Sequence, residues 1–168
     1  MMVASEKSLD VTVREVNPLD IFRLFRWAND PETRKNAFSQ KPISFPAHVV
    51  WFFRNYFDKR ILMTIATRTE QENGRAGLFC RFFPRGDGKY EITINLAPEL
   101  RGQRLSRSFL TASISVFREL RGNQHDLYAR VKSANVASER LFLSAGFSHA
   151  AFNGLVLELI LPMEATTN

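Results

Sequence analysis

The chain has 168 residues, of which 45% are hydrophobic and 24% charged, so it can fold as one domain around its own core. Its single cysteine, Cys80, excludes an internal disulfide and a multi-cysteine zinc site. The formal net charge is +6, and arginine supplies 17 of the 23 cations. Because the arginine fork suits bidentate contacts with anions, the composition indicates a phosphate-bearing partner.

The chain shows no signal-peptide pattern and no apolar run long enough to cross a membrane. We therefore predict a single cytoplasmic domain over residues 1–168, with loose ends at 1–9 and 163–168 and no membrane partner. The three histidines lie far apart, so no metal site is expected. The sequence argues against a nucleic-acid partner, since acidic residues are interleaved with the basic ones and no recognition motif is present.

The first half of the chain alternates strand and helix signals. Apolar and polar residues alternate over Val11–Val16, which predicts a strand, and Asn17-Pro18 begins a helix that ends at Asn29-Asp30-Pro31. Residues 31–43 are predicted to be irregular, and a second helix begins at Ser44-Phe45-Pro46. Three strands follow at 61–68, 76–84 and 89–96, with hairpin turns at 71–74 and 86–88.

The second half predicts a helix over about 102–120, a strand at 126–132, a helix at 135–145 and a pair of strands within 147–161. This order predicts a mixed α/β (α+β) fold. Its central sheet would have about seven strands, mostly antiparallel, flanked by about four helices. The passage from strand to helix near residue 100 is the expected ligand position.

The helix expected after residue 100 begins with three arginines and no acid between them. Arg101, Arg104 and Arg107 surround Gly102, Gln103 and Ser106 in this first turn. Free N–H groups at a helix N-terminus attract anions, so this turn is a candidate anion site. The alternative is a solvated basic helix start.

Two motifs resemble a known family. Residues 98–106, Pro-Glu-Leu-Arg-Gly-Gln-Arg-Leu-Ser, resemble the acetyl-CoA pyrophosphate loop of the GNAT superfamily of N-acetyltransferases. Residues 135–147, Asn-Val-Ala-Ser-Glu-Arg-Leu-Phe-Leu-Ser-Ala-Gly-Phe, resemble that family's second CoA-side helix. The resemblance implies the GNAT fold and acetyl-CoA as co-substrate, with no metal. It also implies these cofactor contacts: Ile94, Leu96, Arg101, Gly102, Gln103, Arg104, Leu105, Ser106, Arg107, Asn135 and Phe142.

The chain departs from the family pattern at three of these positions. Arg104 and Ser106 stand where the family has glycine or alanine, and we expect Arg104 to swing outward and pair with a phosphate of CoA rather than block the pocket. Phe142 replaces a tyrosine that protonates the leaving thiolate, a role that water or Tyr128 could take. Asn135 has an alternative role as a helix N-cap.

The family often places a carboxylate on the strand that leads to the loop. Glu91 holds that position, so it is the candidate general base, and a solvent-facing strand carboxylate is the alternative.

The segment from Arg26 to Ser39 resembles a subgroup that acetylates nucleotide-linked amino sugars in bacterial nonulosonic-acid biosynthesis. The resemblance implies that cations meet the diphosphate and aromatic rings stack on a ring of the substrate. The alternative is that the aromatic residues belong to the core and the cations to a solvated loop. The candidate substrate contacts are Trp27, Arg34, Asn36, Phe38 and Arg81.

The resulting hypothesis is an acetyl-CoA-dependent N-acetyltransferase that moves acetyl directly to a primary amine, without a covalent enzyme intermediate. A nucleotide-linked amino sugar is the favoured acceptor. A protein N-terminal or small-amine acetyltransferase is one alternative, and a non-catalytic CoA-binding module with a decayed site is another. A homodimer is left open.

Overall fold

A computed structural model describes residues 11–68 and 77–163 of the chain. The hairpin turn predicted at 71–74 and most of both predicted loose ends lie outside these residues. The described residues form seven strands and five α-helices: β1 Val11–Glu15, α1 Ile21–Ala28, α2 Pro31–Asn36, α3 Phe45–Phe57, β2 Leu62–Arg68, β3 Leu78–Gly86, β4 Lys89–Leu96, α4 Ser106–Arg121, β5 Leu127–Lys132, α5 Val136–Ser144, β6 Ser148–Phe152 and β7 Val156–Leu161.

The strands make one sheet in the order β1-β2-β3-β4-β5-β7-β6. Every neighbouring pair is antiparallel except β4 and β5, which run parallel. The prediction of a mixed, mostly antiparallel sheet of about seven strands is confirmed. None of the helices in the described ranges is long and apolar enough to cross a membrane.

Side-chain caps start several of the helices at the predicted places. Asn17 accepts a hydrogen bond from the Leu19 amide, Ser44 from that of Ala47 and Asn135 from that of Ser138. Each cap satisfies an amide that the helix itself leaves without a partner. The local sequence therefore determines where these helical segments begin.

Two predicted boundaries are wrong. Residues 31–36 form the short helix α2 instead of irregular chain, because the side chain of Asp30 caps the Thr33 amide and Pro31 occupies the first turn. The longer helix begins at Ser106 and not at 102, since Gly102 and Arg104 adopt positive φ values of 75° and 59°, which a right-handed helix excludes.

The helices cover both faces of the sheet. Helix α4 packs on the face that carries Cys80 and Phe82, and the Phe82 ring stacks on Phe117 at 4.6 Å. Helix α3 covers the opposite face, where Trp51 meets Phe79 edge to face. Large buried side chains such as Phe52 and Phe109 fill the two layers between sheet and helices.

The parallel pair β4–β5 is joined over only two residue pairs. Tyr90 lies opposite Leu127, and Glu91 lies opposite Tyr128. Beyond Glu91 the two strands separate, while β4 remains paired with β3 along its other edge. This divergence opens the sheet at its centre and positions the candidate site.

Candidate active site

A cleft of about 640 Å³ lies where β4 and β5 separate. Its walls include residues 92–96 of β4, residues 130–132 of β5, and parts of α2, α5 and the start of α4. The β5-facing edge of β4 has no strand partner beyond Glu91 in the described residues. An extended ligand could add to this edge through main-chain hydrogen bonds, as the predicted contacts at Ile94 and Leu96 require.

The start of α4 opens onto the same cleft. Ser106 is its first residue and borders the cleft, and the N-cap Leu105 makes no side-chain hydrogen bond to the helix. No side chain of the described residues therefore caps the first amides of α4. With the positive end of the helix dipole, they form a site suited to an anion.

The preceding loop keeps the backbone shape of a glycine-rich loop despite its arginine. Arg104 adopts φ 59°, a left-handed conformation that favours glycine. Its side chain is exposed and does not border the cleft, and Arg107 is also exposed. Arg104 therefore does not fill the cleft. Gln103 is held by the loop itself, since its amide donates to the Glu99 carbonyl oxygen.

Arg101 is bound to acidic side chains rather than turned to a free anion site. Its guanidinium donates to Asp30 and Thr33 and forms an ion pair with Glu32. The hydrogen bond from Arg101 lowers the pKa of Asp30. Arg101 borders the cleft, but in this geometry it fastens the loop to α2, which differs from the phosphate contact predicted for it.

Phe142 and Asn135 both border the cleft, from the α5 side. Phe142 is 3% exposed and packs against Phe147, so an apolar ring occupies the position where the family has tyrosine. Asn135 caps α5, as the alternative interpretation predicted. Tyr128 does not border the cleft and lies under Arg85 and Lys89, which argues against its use as a substitute proton donor.

Glu91 is 5% exposed and does not border the cleft. Its Oε1 accepts a hydrogen bond of 2.9 Å from Nε of Arg130. Contact with an acceptor amine would therefore require an intervening water, and the predicted solvent-facing alternative does not hold either. What the structure shows is a buried carboxylate that fixes an arginine.

The predicted substrate contacts divide into two groups. Arg34, Asn36 and Phe38 border the cleft from α2 and the chain that follows it. Trp27 is fully buried in the core, and Arg81 lies between the rings of Trp51 and Phe83; neither borders the cleft. Trp27 is therefore a core residue, as the alternative interpretation predicted, and Arg81 is a half-buried residue away from the cleft; both positions differ from the predicted substrate contacts.

The hydrogen bonds of Arg34 and Arg81 agree with this division between residues that border the cleft and residues that do not. Arg34 donates to the carbonyls of Ser39 and Lys41 and so shapes the loop after α2. Arg81 donates to the Asn55 side chain, and burial lowers its pKa.

Several cleft residues were not predicted, among them Arg130, Lys132, Thr93 and His48. The strand residues had a signal, because alternation along β4 and β5 places every second side chain on one face. His48 had none. It is 2% exposed, its ring nitrogen Nε2 lies 3.1 Å from the Ile21 carbonyl oxygen, and burial lowers its pKa.

Cys80 is enclosed by the core, and burial raises the pKa of its thiol to about 12. It is therefore not available as a thiolate nucleophile. Among the described residues there is no group of three or more His, Cys, Asp or Glu side chains that could hold a metal ion.

A family model described as an acetyltransferase (GNAT) domain matches residues 10–148 of the chain. No curated protein matches the sequence. Solved structures share the fold at low identity. The spermidine N-acetyltransferase of Vibrio cholerae, in complex with CoA and spermine, superposes with a TM-score of 0.77 at 16% identity, covering 92% of this chain and 96% of that one.

Two further structures agree. The protein yncA of Salmonella typhimurium with acetyl-CoA has a TM-score of 0.71 at 17% identity, with 94% and 96% of the two chains covered. The aminoglycoside acetyltransferase AAC(6')-Ib in complex with coenzyme A has a TM-score of 0.73 at 14% identity, with 91% and 95% covered.

Proposed function

Because the chain belongs to the acetyltransferase (GNAT) domain family, we propose that it is an acetyl-CoA-dependent N-acetyltransferase whose acceptor is a nucleotide-linked amino sugar. The observation that carries the proposal is the cleft between β4 and β5. Within the described residues it joins a strand edge without a partner, a helix start without a side-chain cap and a wall with several cations.

The residues on one side of the cleft fit acetyl-CoA. The free edge of β4 at Ile94 and Leu96 offers main-chain groups to the pantetheine arm, whose amides can pair with it like a strand. The pyrophosphate would meet the amides at the start of α4, next to Ser106 and Arg107. Arg104 is exposed beside this loop and can add a charge-assisted contact.

The chemistry proposed is direct transfer. The acceptor nitrogen forms a bond to the acetyl carbon, the carbon–sulfur bond breaks, and the sulfur leaves as the thiolate of CoA while the amine loses a proton. Glu91 is buried in its pair with Arg130, and Glu32 is paired with Arg101. Proton removal would therefore proceed through water. Phe142 gives the leaving thiolate an apolar surface and no proton.

The charge of the cleft supports an anionic acceptor. Four cations border it, Arg34, Arg101, Arg130 and Lys132, while Glu32 is the one acidic residue on its described walls. Two of these cations are already paired, Arg101 with acids of the α2 segment and Arg130 with Glu91, so the excess positive charge of the wall is small. This excess still favours an anion over a polycation such as a polyamine or an aminoglycoside. A nucleotide-linked amino sugar carries a diphosphate beside its amine, so its charge is complementary.

The test is an acceptor panel with release of the CoA thiol as the readout. UDP-linked amino sugars, spermidine, an aminoglycoside and a basic peptide are offered with acetyl-CoA, whose binding is measured separately by calorimetry. We expect turnover with the UDP-linked amino sugars alone. Acetyl-CoA binding without turnover of any acceptor would indicate a non-catalytic module, and turnover of the peptide or spermidine would refute the acceptor assignment.

A matched pair of variants controls the panel. Ser106→Tyr places a large side chain at the start of α4 inside the cleft and should abolish acetyl-CoA binding. Ser106→Ala keeps the backbone amides and should retain it, because the family accepts alanine here and the proposed phosphate contacts come from the main chain.

A further inference from the structure

Arg130 is the cation best placed to face an acceptor. It lies on β5 where this strand turns away from β4, and it borders the cleft with its side chain 48% exposed. By the alternation of β5 it is on the same face of the sheet as Tyr128, which lies opposite Glu91. The face is the one covered by α1 and α3, away from α4.

Two contacts fix the orientation of this guanidinium. Nε donates to Oε1 of Glu91 at 2.9 Å, and Cζ lies 5.6 Å from the ring centre of Phe38. The two terminal amino groups of Arg130 make no hydrogen bond to any described residue. Since the bond to Glu91 uses Nε, the outer edge of the fork is left for a bidentate contact with an oxyanion.

Lys132 adds a second cation two residues further along β5, on the same face and also at the cleft. Its ammonium donates to the Lys35 carbonyl at 3.3 Å, which leaves further N–H donors. Glu91 is the carboxylate paired with Arg130, so the two cations together keep an excess of positive charge at this end of the cleft.

We propose that Arg130 and Lys132 form a subsite for the anionic group of the acceptor, with Glu91 as a positioning residue that holds the Arg130 fork toward the cleft. The ligand is a phosphate-type oxyanion, in the first place the diphosphate of a nucleotide-linked amine. This inference rests on the proposed function for its substrate. Nothing in it requires Glu91 to take a proton from the amine.

The test measures anion binding and catalysis separately. Calorimetry measures the binding of UDP and of inorganic pyrophosphate to the subsite while the enzyme is saturated with CoA. For Arg130→Gln we expect affinity for UDP to fall about 10- to 100-fold, the usual effect of losing a charged hydrogen-bonded contact. The KM of the nucleotide-linked acceptor should rise by a similar factor, while the KM of acetyl-CoA stays unchanged.

Arg60→Gln is the matched control, because Arg60 is an exposed arginine that is paired with Asp58 and does not border the cleft, yet its loss changes the net charge equally. Arg130→Lys should recover part of the affinity, since it keeps the charge without the fork. Equal effects of Arg60→Gln and Arg130→Gln on UDP binding would overturn the subsite.

Glu91→Gln separates positioning from base catalysis. A positioning role predicts a higher KM for the acceptor with the pH profile of kcat unchanged in shape. A fall in kcat of about 100-fold or more, with loss of the acidic limb of the profile, would show that Glu91 is the base and would overturn its assigned role.

Failure of the subsite and failure of the proposed function are distinguishable. If a nucleotide-linked amine is acetylated but its KM does not respond to Arg130→Gln, the subsite is wrong and the function stands. If UDP binds at Arg130 and no nucleotide-linked amine is acetylated, the subsite stands and the acceptor is another anionic amine.

Discussion

Arg104 has an exposed cationic side chain and a backbone conformation that usually requires glycine. Its φ of 59° places it in the left-handed region, which costs a residue with a Cβ about 1–2 kcal/mol. The loop adopts this conformation because it must bring the chain from the turn after β4 into α4 while leaving the amides at the start of α4 uncovered. A strained residue at a ligand loop is in keeping with a functional role for its side chain.

Two substitutions at Arg104 separate strain from phosphate binding. Arg104→Gly relieves the strain of the folded loop. It also raises the conformational entropy of the unfolded chain, which stabilises the unfolded state by about 0.4–1 kcal/mol, so the free energy of unfolding should change little. Arg104→Ala keeps the strain and removes the cation. If the guanidinium binds CoA, both variants should bind acetyl-CoA about tenfold more weakly by calorimetry. Tighter binding by Arg104→Gly would show instead that the arginine obstructs the loop.

His48 borders the cleft, and its protonation should make the stability of the protein depend on pH. Burial lowers its pKa below the value of about 6.5 that it has in an unfolded chain. The unfolded state therefore takes up a proton first, so the stabilising contribution of neutral His48 is complete above about pH 6.5. It is lost as pH falls from there toward the pKa of the folded state.

His48→Gln tests this dependence, because glutamine retains a donor for the Ile21 carbonyl but does not titrate. Urea unfolding between pH 7.5 and 5 should show a smaller loss of stability in the variant. The difference should be about 1.4 kcal/mol for each pH unit by which burial lowers the pKa of His48. The same substitution at the exposed His149 is the control, and a parallel loss in wild type and His48→Gln would contradict the assignment.

Among the elements, the separation of β4 from β5 decides where a ligand can bind. The two strands pair only at Tyr90 and Glu91 of β4, and beyond this point one edge of β4 has no strand neighbour in the described residues. Helix α2 forms part of the cleft wall. None of its residues is buried, so its position depends on the Asp30 cap and on the contacts of Arg101.

Hydrogen exchange measures the role of the free β4 edge. We expect acetyl-CoA to slow amide exchange in residues 92–96, because the pantetheine arm would pair with main-chain groups that now face the cleft. Protection in β2 and β7, which are paired along both edges, should not change. Equal exchange of 92–96 with and without the ligand would contradict binding at this edge.

The order of elements was predictable because each strand and most helices carry a local signature. Alternation along Val11–Glu15 and the caps at Asn17 and Ser44 are local properties of the chain. Local sequence signals did not predict α2, because Asn29-Asp30-Pro31 ends one helix and also begins the next. They failed again at Gly102–Arg104, where the positive φ values interrupt a pattern that looks helical.

In the molecule as a whole, the many arginines have different roles. Arg101 holds α2, Arg118 donates to carbonyls of the chain after α4, and the half-buried Arg81 lies over two aromatic rings. Arg130 keeps the outer edge of its fork toward the cleft, and Arg104 and Arg107 remain exposed at the loop. The net charge of +6 is thus partly structural and partly concentrated at the candidate site. Localisation and the homodimer stay predictions.

The sequence by itself determined the family motifs and the seven strands, because these depend on neighbours in the chain. Only the tertiary structure decided the partners of the charged groups. Arg101 meets Asp30 across 71 residues and Arg130 meets Glu91 across 39, and such distant pairs leave no local pattern. That is why the predicted base is found holding an arginine, while Arg130, a strand arginine that no motif marked, borders the cleft.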